Sequence, residues 1–264
     1  MHTVKHPLSG EEKALEFQRN LNVFDKIVVH SVLQEFELIY QGIDPNKVVR
    51  IPHGTFLNPY LWKPRYMLAE ELGLKPSDLQ GFVITVPGFL RRDKGLDILV
   101  KAVKPLLNSM RDYTVVVAGE IRDPELKDEI EEMVMNGPNL VFIERFLTHD
   151  EVLKIVALAD AVILPYRDRI GTYSVSGILH LSMGGLKPII GSRVPRLIEL
   201  YTRAPRLTIP PRNPFELTRK IKWLRENYDV VIPYMSTLYS YAIRTEWHRM
   251  ARRHLALYST LYGG

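Results

Sequence analysis

The chain has 264 residues, of which 46% are hydrophobic and 25% are charged, and its formal net charge is +5. A globular protein of this size can bury one large core or two smaller ones. The absence of cysteine excludes disulfide bonds, thiolate catalysis and cysteine-ligated zinc. No apolar run is long enough to cross a bilayer and no secretory signal pattern opens the chain, so we expect a cytoplasmic protein.

Many of the positive charges lie after residue 200, and their simplest interpretation is a solvated basic face. Such a surface also suits anionic lipid headgroups, so peripheral contact with a membrane is an alternative. The sequence contains no zinc-finger, RNA-recognition or helix-turn-helix signature. We therefore do not expect nucleic acid as a partner.

Residues 1–60 predict a partial α/β segment. Helices are expected at 11–21 and 32–40, and short strands at 26–30 and 48–51. Ser31 is the candidate N-cap of the second helix. Residues 55–65 contain two X-Pro pairs and connect this segment to the rest of the chain.

From residue 82 onward, short apolar strands alternate with amphipathic helices. Strands are predicted at 82–86, 113–118, 140–143, 161–164, 188–190 and 206–209, and helices at 95–110, 124–134, 150–159, 175–183, 195–201 and 214–226. This alternation predicts an α/β fold with a doubly wound, Rossmann-like parallel sheet over residues 61–234. Residues 235–264 form a C-terminal segment that is helical over 235–262.

Ligands of doubly wound sheets bind beyond the carboxyl ends of the strands, where two loops of this chain stand out. The first loop contains Gly88, Arg91 and Lys94, between a predicted strand and a predicted helix. Backbone N–H groups at a helix start, together with cations, favour a polyanion such as a diphosphate. The alternative is a solvated loop with ordinary surface charge.

The second loop, residues 171–177, contains Ser174, Ser176 and Gly177 and opens another predicted helix. Small hydroxyl residues and glycine at a helix start expose N–H groups to an anion, but they are also typical of simple N-capping. Because both loops fall at the carboxyl ends of one predicted sheet, we favour a shared anion site.

Several common catalytic motifs are absent from the sequence. No G-x-G-x-x-G follows a strand, no G-x-S-x-G or H-E-x-x-H occurs, and no Asp-x-Asp pair is available to hold a metal–diphosphate complex. The sequence therefore predicts no nicotinamide or flavin cofactor, no metal site and metal-independent chemistry.

A series of segments, in this order, resembles motifs of the GT-B glycosyltransferases of family 4, the glycosyl transferases group 1. They are residues 28–31 (VVHS), 49–54 (VRIPHG), 88–95 (GFLRRDKG), 118–120 (AGE), 158–165 (LADAVILP), 183–190, 196–199 (RLIE) and 246–258. The resemblance extends over residues 26–262 and mainly concerns the family's C-terminal, donor-binding domain. It implies a nucleotide-sugar donor and transfer of the sugar with retention.

The resemblance also implies roles for individual residues. Arg91 and Lys94 match the family's diphosphate-binding cations, and the loop before Val175 matches the segment whose amides hold the distal phosphate. Phe146 ends the stretch 144–146, which falls where the family frames the nucleotide base. Glu199 matches an acidic residue near the donor pocket, and we predict a catalytic role for it.

The chain departs from the family's Glu-x7-Glu pattern. Tyr173 and Leu181 stand where the two glutamates are expected, and leucine cannot hold ribose hydroxyls. His180, one residue away, is the candidate substitute, and a packed or solvated histidine is the alternative. Phe89 replaces an arginine that often follows the first glycine, which leaves Arg91 to take that role.

The family carries a whole first domain before this region, whereas here we expect only its last stretch. The triplet that begins at His2 resembles the strand end that bears the family's active-site histidine, so His2 is the second catalytic candidate. An unstructured or tag-like N-terminus is the alternative. The C-terminal segment is expected to return toward this part.

We therefore expect a hexosyltransferase-like glycosyltransferase that moves a sugar from a nucleotide-diphosphate sugar to a sugar or lipid-linked acceptor. One alternative is a catalytically incomplete nucleotide-sugar-binding or regulatory subunit, and another is a sugar-nucleotide epimerase on the same architecture. A short first domain would leave apolar faces that either a second copy or a separately encoded N-terminal half covers.

Overall fold

The computed structural model describes residues 1–109, 112–122, 127–128, 130–132, 139–167 and 169–262. Within these residues, a central parallel sheet and its helices enclose the larger hydrophobic core. A second, smaller cluster of buried apolar side chains lies within the N-terminal part of the chain.

Residues 1–60 form a small α/β unit around that second cluster. Its elements are β1 (Thr3–Lys5), α1 (Glu12–Arg19), β2 (Ile27–Val29), α2 (Val32–Tyr40) and β3 (Val48–Arg50). Strands β2 and β3 pair in parallel, and Val4, Val29 and Leu38 are buried in the cluster. Ser31 caps α2 as predicted, because its Oγ accepts a hydrogen bond from the Gln34 N–H and the Gln34 side chain bonds back to the cap.

The central sheet has six strands, all parallel. They are β4 (Phe82–Pro87), β5 (Tyr113–Ala118), β6 (Leu140–Ile143), β7 (Ala161–Leu164), β9 (Ile189–Ser192) and β10 (Thr208–Ile209), and their order across the sheet is β10-β9-β7-β4-β5-β6. The run of β-branched residues in β5 is buried throughout, as in a strand covered on both faces. Chain order proceeds outward from β4 in both directions, which confirms the predicted doubly wound sheet.

Helices flank the sheet and close the chain. They are α3 (Arg65–Glu71), α4 (Leu96–Ser109), α5 (His149–Leu158), α6 (Gly177–Met183), α7 (Ile198–Arg203), α8 (Pro214–Glu226), α9 (Tyr228–Arg244) and α10 (Trp247–Tyr262). The helix predicted at 124–134 lies largely outside the described residues, although 127–128 and 130–132 are helical. None of the helices described here has the length and apolar character needed to cross a lipid bilayer.

The helix predicted at 175–183 begins later than expected, because the residues before it form a strand. Strand β8 (Thr172–Ser174) lies outside the central sheet and pairs antiparallel with β1, with Val4 opposite Tyr173. The partner strand β1 lies near the N-terminus, far from β8 in the sequence, so local sequence gives no signal for this pairing. The first residues of the chain are therefore part of the fold, in contrast to the tag-like alternative.

The helical segment predicted at 235–262 is two helices with a break at Thr245 and Glu246. Thr55 explains the break, because its backbone bonds to both sides of it: the Thr55 N–H donates to the Thr245 carbonyl and the Trp247 N–H donates to the Thr55 carbonyl. The indole of Trp247 then packs directly against Gly54, where a Cβ would lie 2.1 Å from the ring. The C-terminal helix therefore starts in contact with Gly54 and Thr55.

The last predicted strand is also shorter than expected. The sequence predicts a strand at 206–209, but a 3-10 turn at Pro205–Leu207 occupies its first half. Proline fixes φ at about −65°, which suits the first position of a 3-10 turn, and it has no N–H to offer to a neighbouring strand. Only Thr208–Ile209 then remain to pair with β9.

Candidate functional site

A cavity of about 540 Å³ opens at the carboxyl ends of the central strands, against the N-terminal unit. This volume is within the range of pockets that bind small organic ligands. Eight of the predicted site residues line it: His2, Gly88, Arg91, Lys94, Phe146, Ser174, Ser176 and Gly177. The two loops that the sequence singled out therefore do share one cavity.

The first loop turns sharply between β4 and α4, and two glycines make the turn. Gly88 has φ +103° and Gly95 has φ +71°, a region that disfavours residues with a Cβ. At Gly95 a Cβ would also lie 1.8 Å from the carbonyl oxygen of Pro165, which follows β7. The loop thus packs against the neighbouring strand end, and this contact fixes the cations between the two glycines at the cavity.

Arg91 is held by a neighbouring carboxylate. Its Nε and Nη2 each donate to an oxygen of Asp93 at 2.8 Å, and Arg196 donates from Nη1 to the same carboxylate at 2.8 Å. Burial of Asp93 by itself would raise its pKa, but the hydrogen bonds from Arg196 and Arg91 outweigh burial and lower the pKa to about 2. Asp93 is therefore ionised at neutral pH, and the three side chains carry a net charge of +1.

Lys94 contributes a second cation to the same wall. Its Nζ lies 4.0 Å from the centre of the buried Tyr166 ring, a cation–π contact. The Tyr166 hydroxyl in turn lies 3.1 Å from Ser176 Oγ. The phenol thus connects the loop after β4 with the loop before α6 and supports a cation at the cavity.

In the second loop, residues 171–177, one serine caps the following helix and the glycine beside it faces open space. Ser176 Oγ accepts a hydrogen bond from the Leu179 N–H at 3.2 Å and is buried, so the N-capping alternative is correct for this hydroxyl. Ser174 Oγ accepts from Arg196 Nε at 3.0 Å. A Cβ added at Gly177 would have no described atom within 4 Å, so a ligand has room beside this residue.

Two aromatic rings form the other side of the cavity. Phe146 and Phe89 both line it, are partly exposed, and have ring centres 6.1 Å apart. Flat, exposed rings are a suitable surface for stacking a heterocycle. Phe89, which replaces an expected arginine, thus adds to the ring surface rather than to the charge.

Three predicted site residues are not among the described residues that line the cavity: Tyr173, His180 and Glu199. The side chain of Tyr173 packs against the N-terminal hydrophobic cluster, because its neighbour in the β-ladder is Val4. His180 is completely buried on α6, which favours the packed alternative over contact with a ribose.

Glu199 lies at the start of α7 and is 6% exposed. Its burial raises its pKa to about 7, against smaller opposing effects of its own backbone N–H and of Arg203. Its Oε2 has no hydrogen-bond partner among the described residues. The sequence selected Glu199 through its match to an acidic residue of the resembled family, but in the structure it is buried and is not among the described residues that line the cavity.

Four histidines form a cluster that runs from the cavity into the protein. Ring centres of His2 and His30 lie 4.5 Å apart, those of His30 and His53 5.9 Å, and those of His53 and His180 4.5 Å. In His30, His53 and His180 the Nδ1 atom bonds to a backbone carbonyl, which can only accept. These three rings therefore carry their proton on Nδ1 when neutral.

Burial lowers the pKa of all four histidines, to about 4 for His30 and about 3 for His180. The cluster is thus neutral at physiological pH. The structure shows no group of three or more histidine, aspartate or glutamate side chains placed to hold a metal ion within its described residues.

Sequence reasoning missed several lining residues, among them Arg196, Asp93 and Lys5. The sequence could have predicted Arg196, because this residue follows β9 and therefore lies at the carboxyl end of a strand. Lys5 had none, because its place depends on the pairing of β1 with β8. Lys5 is buried, and its Nζ donates to Thr172 Oγ1 at 3.1 Å and to Glu11.

The six-stranded, doubly wound parallel sheet places the protein in the class of Rossmann-like α/β folds, in which ligands bind beyond the carboxyl ends of the strands. The model of the glycosyl transferases group 1 family matches residues 81–227, and the chain belongs to this family. No curated protein gives a significant match to the sequence.

Solved structures with a similar fold include Alr3699/HepE of Anabaena in complex with UDP-glucose, with a TM-score of 0.79 and 18% identity over 98% of this chain and 71% of that chain. A glycosyltransferase of Rickettsia africae has a TM-score of 0.77 and 17% identity, over 95% and 67% of the two chains. Sucrose-phosphate synthase of Thermosynechococcus elongatus has a TM-score of 0.71 and 20% identity, over 96% of this chain and 62% of that chain. Identities this low show likeness of fold, and the family assignment rests on the family model.

Proposed function

We propose that this chain binds a uridine-diphosphate sugar in the cavity and transfers the sugar with retention of configuration. The observation that supports the proposal is the meeting of Arg91, Lys94 and Arg196 with the rings of Phe89 and Phe146 in one cavity. The cations suit a diphosphate and the rings suit a base. The choice of uridine follows HepE, whose structure contains UDP-glucose.

In the proposed reaction the acceptor hydroxyl oxygen forms a bond to the anomeric carbon of the sugar, and the bond from that carbon to the diphosphate oxygen breaks. Negative charge develops on the leaving oxygen, which takes up the proton of the acceptor hydroxyl. The cations at the loop after β4 stabilise this charge without a metal. Asp93 neutralises one of the three positive charges of Arg91, Lys94 and Arg196, so these four side chains together present a net charge of +2 to a leaving group that becomes more negative. These positive charges therefore bind the transition state more tightly than they bind the donor, which lowers the barrier to transfer.

The acceptor would enter from the side of the N-terminal unit, where His2 lines the cavity. His2 has its pKa lowered, by burial first and by the N-terminal charge second, and a neutral imidazole can hydrogen-bond an acceptor hydroxyl. We propose a sugar or a lipid-linked sugar as acceptor. Glu199 lies behind the wall, so we give it no part in this step.

The first test is donor binding. UDP, ADP and GDP are titrated against the purified chain and the midpoint of thermal unfolding is followed, because a ligand that binds the folded state raises it. We expect UDP to raise the midpoint most, and the double change Arg91→Ala and Lys94→Ala to remove most of that shift.

The matched control is the double change Lys101→Ala and Lys104→Ala, which removes two exposed cations from α4. It should leave the UDP shift intact. If both double variants lose the shift equally, net charge rather than this cavity explains binding. If none of the three nucleotides shifts the wild type, the donor proposal is wrong.

Turnover is tested by released UDP, with UDP-glucose as donor and simple glycosides as acceptors, and by the anomeric configuration of the product. Acceptor-dependent release with a retained anomer supports the full proposal. Donor binding without release would favour the binding-subunit alternative, for which the absence of carboxylates at Tyr173 and Leu181 is the structural reason.

A further inference from the structure

Asp93 is a buried carboxylate in the wall of a cavity proposed for a diphosphate, and its position there is electrostatically unfavourable for an anion. Its side chain is 5% exposed and it lines the cavity. Like charges at close range repel, most strongly where water is excluded. If charge alone determined binding, the loss of this carboxylate would strengthen the binding of a diphosphate.

The hydrogen bonds of Asp93 indicate a different role. One carboxylate holds two guanidinium groups that come from different loops: Arg91 from the turn after β4 and Arg196 from the 3-10 turn Pro195–Leu197 after β9. Arg196 then donates to Ser174 Oγ, at the end of β8, where the third segment around the cavity begins. The chain of contacts from Arg91 to Ser174 joins three segments of the cavity wall, and Asp93 is its central member.

The bond to Asp93 also decides what Arg91 presents to a ligand. Nε and Nη2 of Arg91 are both engaged with the carboxylate, so the guanidinium plane is fixed and Nη1 makes neither of these bonds. The Arg91 side chain is 44% exposed, and without this bond it would be free to rotate in solvent. Fixing a long side chain before binding reduces the entropy that binding must otherwise overcome.

We propose that Asp93 is a positioning residue for the donor diphosphate: it orients Arg91 and secures Arg196, which acts as a third cation tied to the loop before α6. This inference rests on the proposed donor site. Arg196 suits the part because its side chain is only 14% exposed and one guanidinium bridges Asp93 and Ser174. A lysine donates from one nitrogen and lacks the two separate nitrogens, Nε and Nη1, with which Arg196 reaches Ser174 and Asp93.

The decisive test is Asp93→Asn, with UDP binding measured by calorimetry. Simple electrostatics predicts tighter binding, since a negative charge is removed, whereas positioning predicts weaker binding. We expect roughly a tenfold increase in Kd. In a protein that already carries Arg91→Ala, Asp93→Asn should raise the Kd much less, because Arg91 is no longer there for Asp93 to orient.

Glu120→Gln is the matched control. Glu120 also lines the cavity, but its ion pair is with Arg122, which does not belong to the described lining. Removal of this charge should leave UDP binding equal or slightly tighter. The contrast in sign between the two carboxylates separates positioning from charge.

Arg196→Lys is the second variant, because Asp93→Asn can also affect folding. It preserves the charge but not the bridge, so we expect UDP binding to weaken by a similar factor while the unfolding midpoint of the free protein stays near that of the wild type. If the wild type binds UDP and both variants bind it equally well or better, the positioning role is overturned and the donor proposal stands. If the wild type binds none of the nucleotides, the positioning role and the proposed donor site are both wrong.

Discussion

At the scale of single residues, two buried carboxylates show how their surroundings determine their pKa values. Asp93 and Glu199 are both buried carboxylates, but their environments push their pKa values in opposite directions. Two guanidinium groups bond Asp93, and its pKa falls to about 2. Among the described residues no guanidinium bonds Glu199, and burial raises its pKa to about 7. One acid is therefore an ion pair in the cavity wall, and the other is a cost to stability at neutral pH.

Glu199→Gln should stabilise the protein at high pH. The folded-state pKa of about 7 lies above the ordinary value of 4.5, so the contribution of Glu199 to stability is full below pH 4.5 and is lost as pH rises through 7. Glutamine stays neutral and avoids this loss. We expect the free energy of unfolding to rise by up to about 3 kcal/mol relative to wild type at pH 8, and much less at pH 5.

Urea unfolding at the two pH values measures this difference. Thr202→Ala, which removes a hydroxyl on the same helix that does not titrate, is the control and should change the free energy of unfolding equally at both pH values. An equal effect of Glu199→Gln at pH 5 and pH 8 would contradict the assignment of a raised pKa.

At the scale of elements, the turn from β4 to α4 depends on contact with a neighbouring strand end. Gly95→Ala should destabilise the protein by more than about 2 kcal/mol, because the backbone has φ +71° and the new Cβ would lie 1.8 Å from the Pro165 carbonyl oxygen. UDP affinity should fall as well, because the cations precede this residue. Denaturant unfolding and calorimetry measure the two effects.

Gly73→Ala separates backbone strain from the clash. Gly73 has φ +76°, nearly the same as Gly95, but a Cβ there would have no described atom within 4 Å. We expect it to cost only about 1 kcal/mol, the ordinary penalty of this conformation. Equal losses at the two positions would show that packing against Pro165 contributes nothing.

At the scale of the whole molecule, the histidine cluster connects parts of the chain that are far apart in sequence. His2, His30 and His53 belong to the N-terminal unit, His180 belongs to α6, and the His53 ring also packs against Trp247 of α10 at 5.4 Å between ring centres. Protonation would place charges among desolvated rings at this junction. The junction should therefore be sensitive to acid.

The cluster predicts a loss of stability on acidification. The folded-state pKa values lie below the ordinary value of 6.5, so the unfolded chain takes up protons first as pH falls. The stabilising contribution is full above pH 6.5 and is lost as pH falls toward 4. Each such histidine adds a slope of up to about 1.4 kcal/mol per pH unit to the free energy of unfolding.

His180→Asn isolates one member of the cluster, because asparagine can still donate to the Ser176 carbonyl but does not titrate. The stability difference between wild type and this variant should shrink as pH is lowered from 7.5 to 5. Ser182→Ala changes a buried side chain on the same helix that does not titrate, so it should give a constant difference. If the two variants behave alike across this range, the neutral buried cluster is not what makes the junction acid-sensitive.

Local sequence determined most of the central fold. Runs of β-branched residues such as those of β5 and the glycines around Arg91 and Lys94 are short-range signals, so the strands and the first cation loop could be predicted closely. The same holds for the capping of α2 by Ser31. These features depend on atoms a few residues apart, which a single sequence displays directly.

Only the tertiary structure decided which side chains meet at the site. The sequence could not show that β1 pairs with β8, which places Lys5 in the cavity wall and turns Tyr173 away from it. It could not show that Asp93 bonds Arg196, 103 residues further along the chain, or that Glu199 lies behind the wall. Such contacts follow from strand order and from how the loops pack, and the pattern of apolar residues that specifies each element carries no information about its distant neighbours.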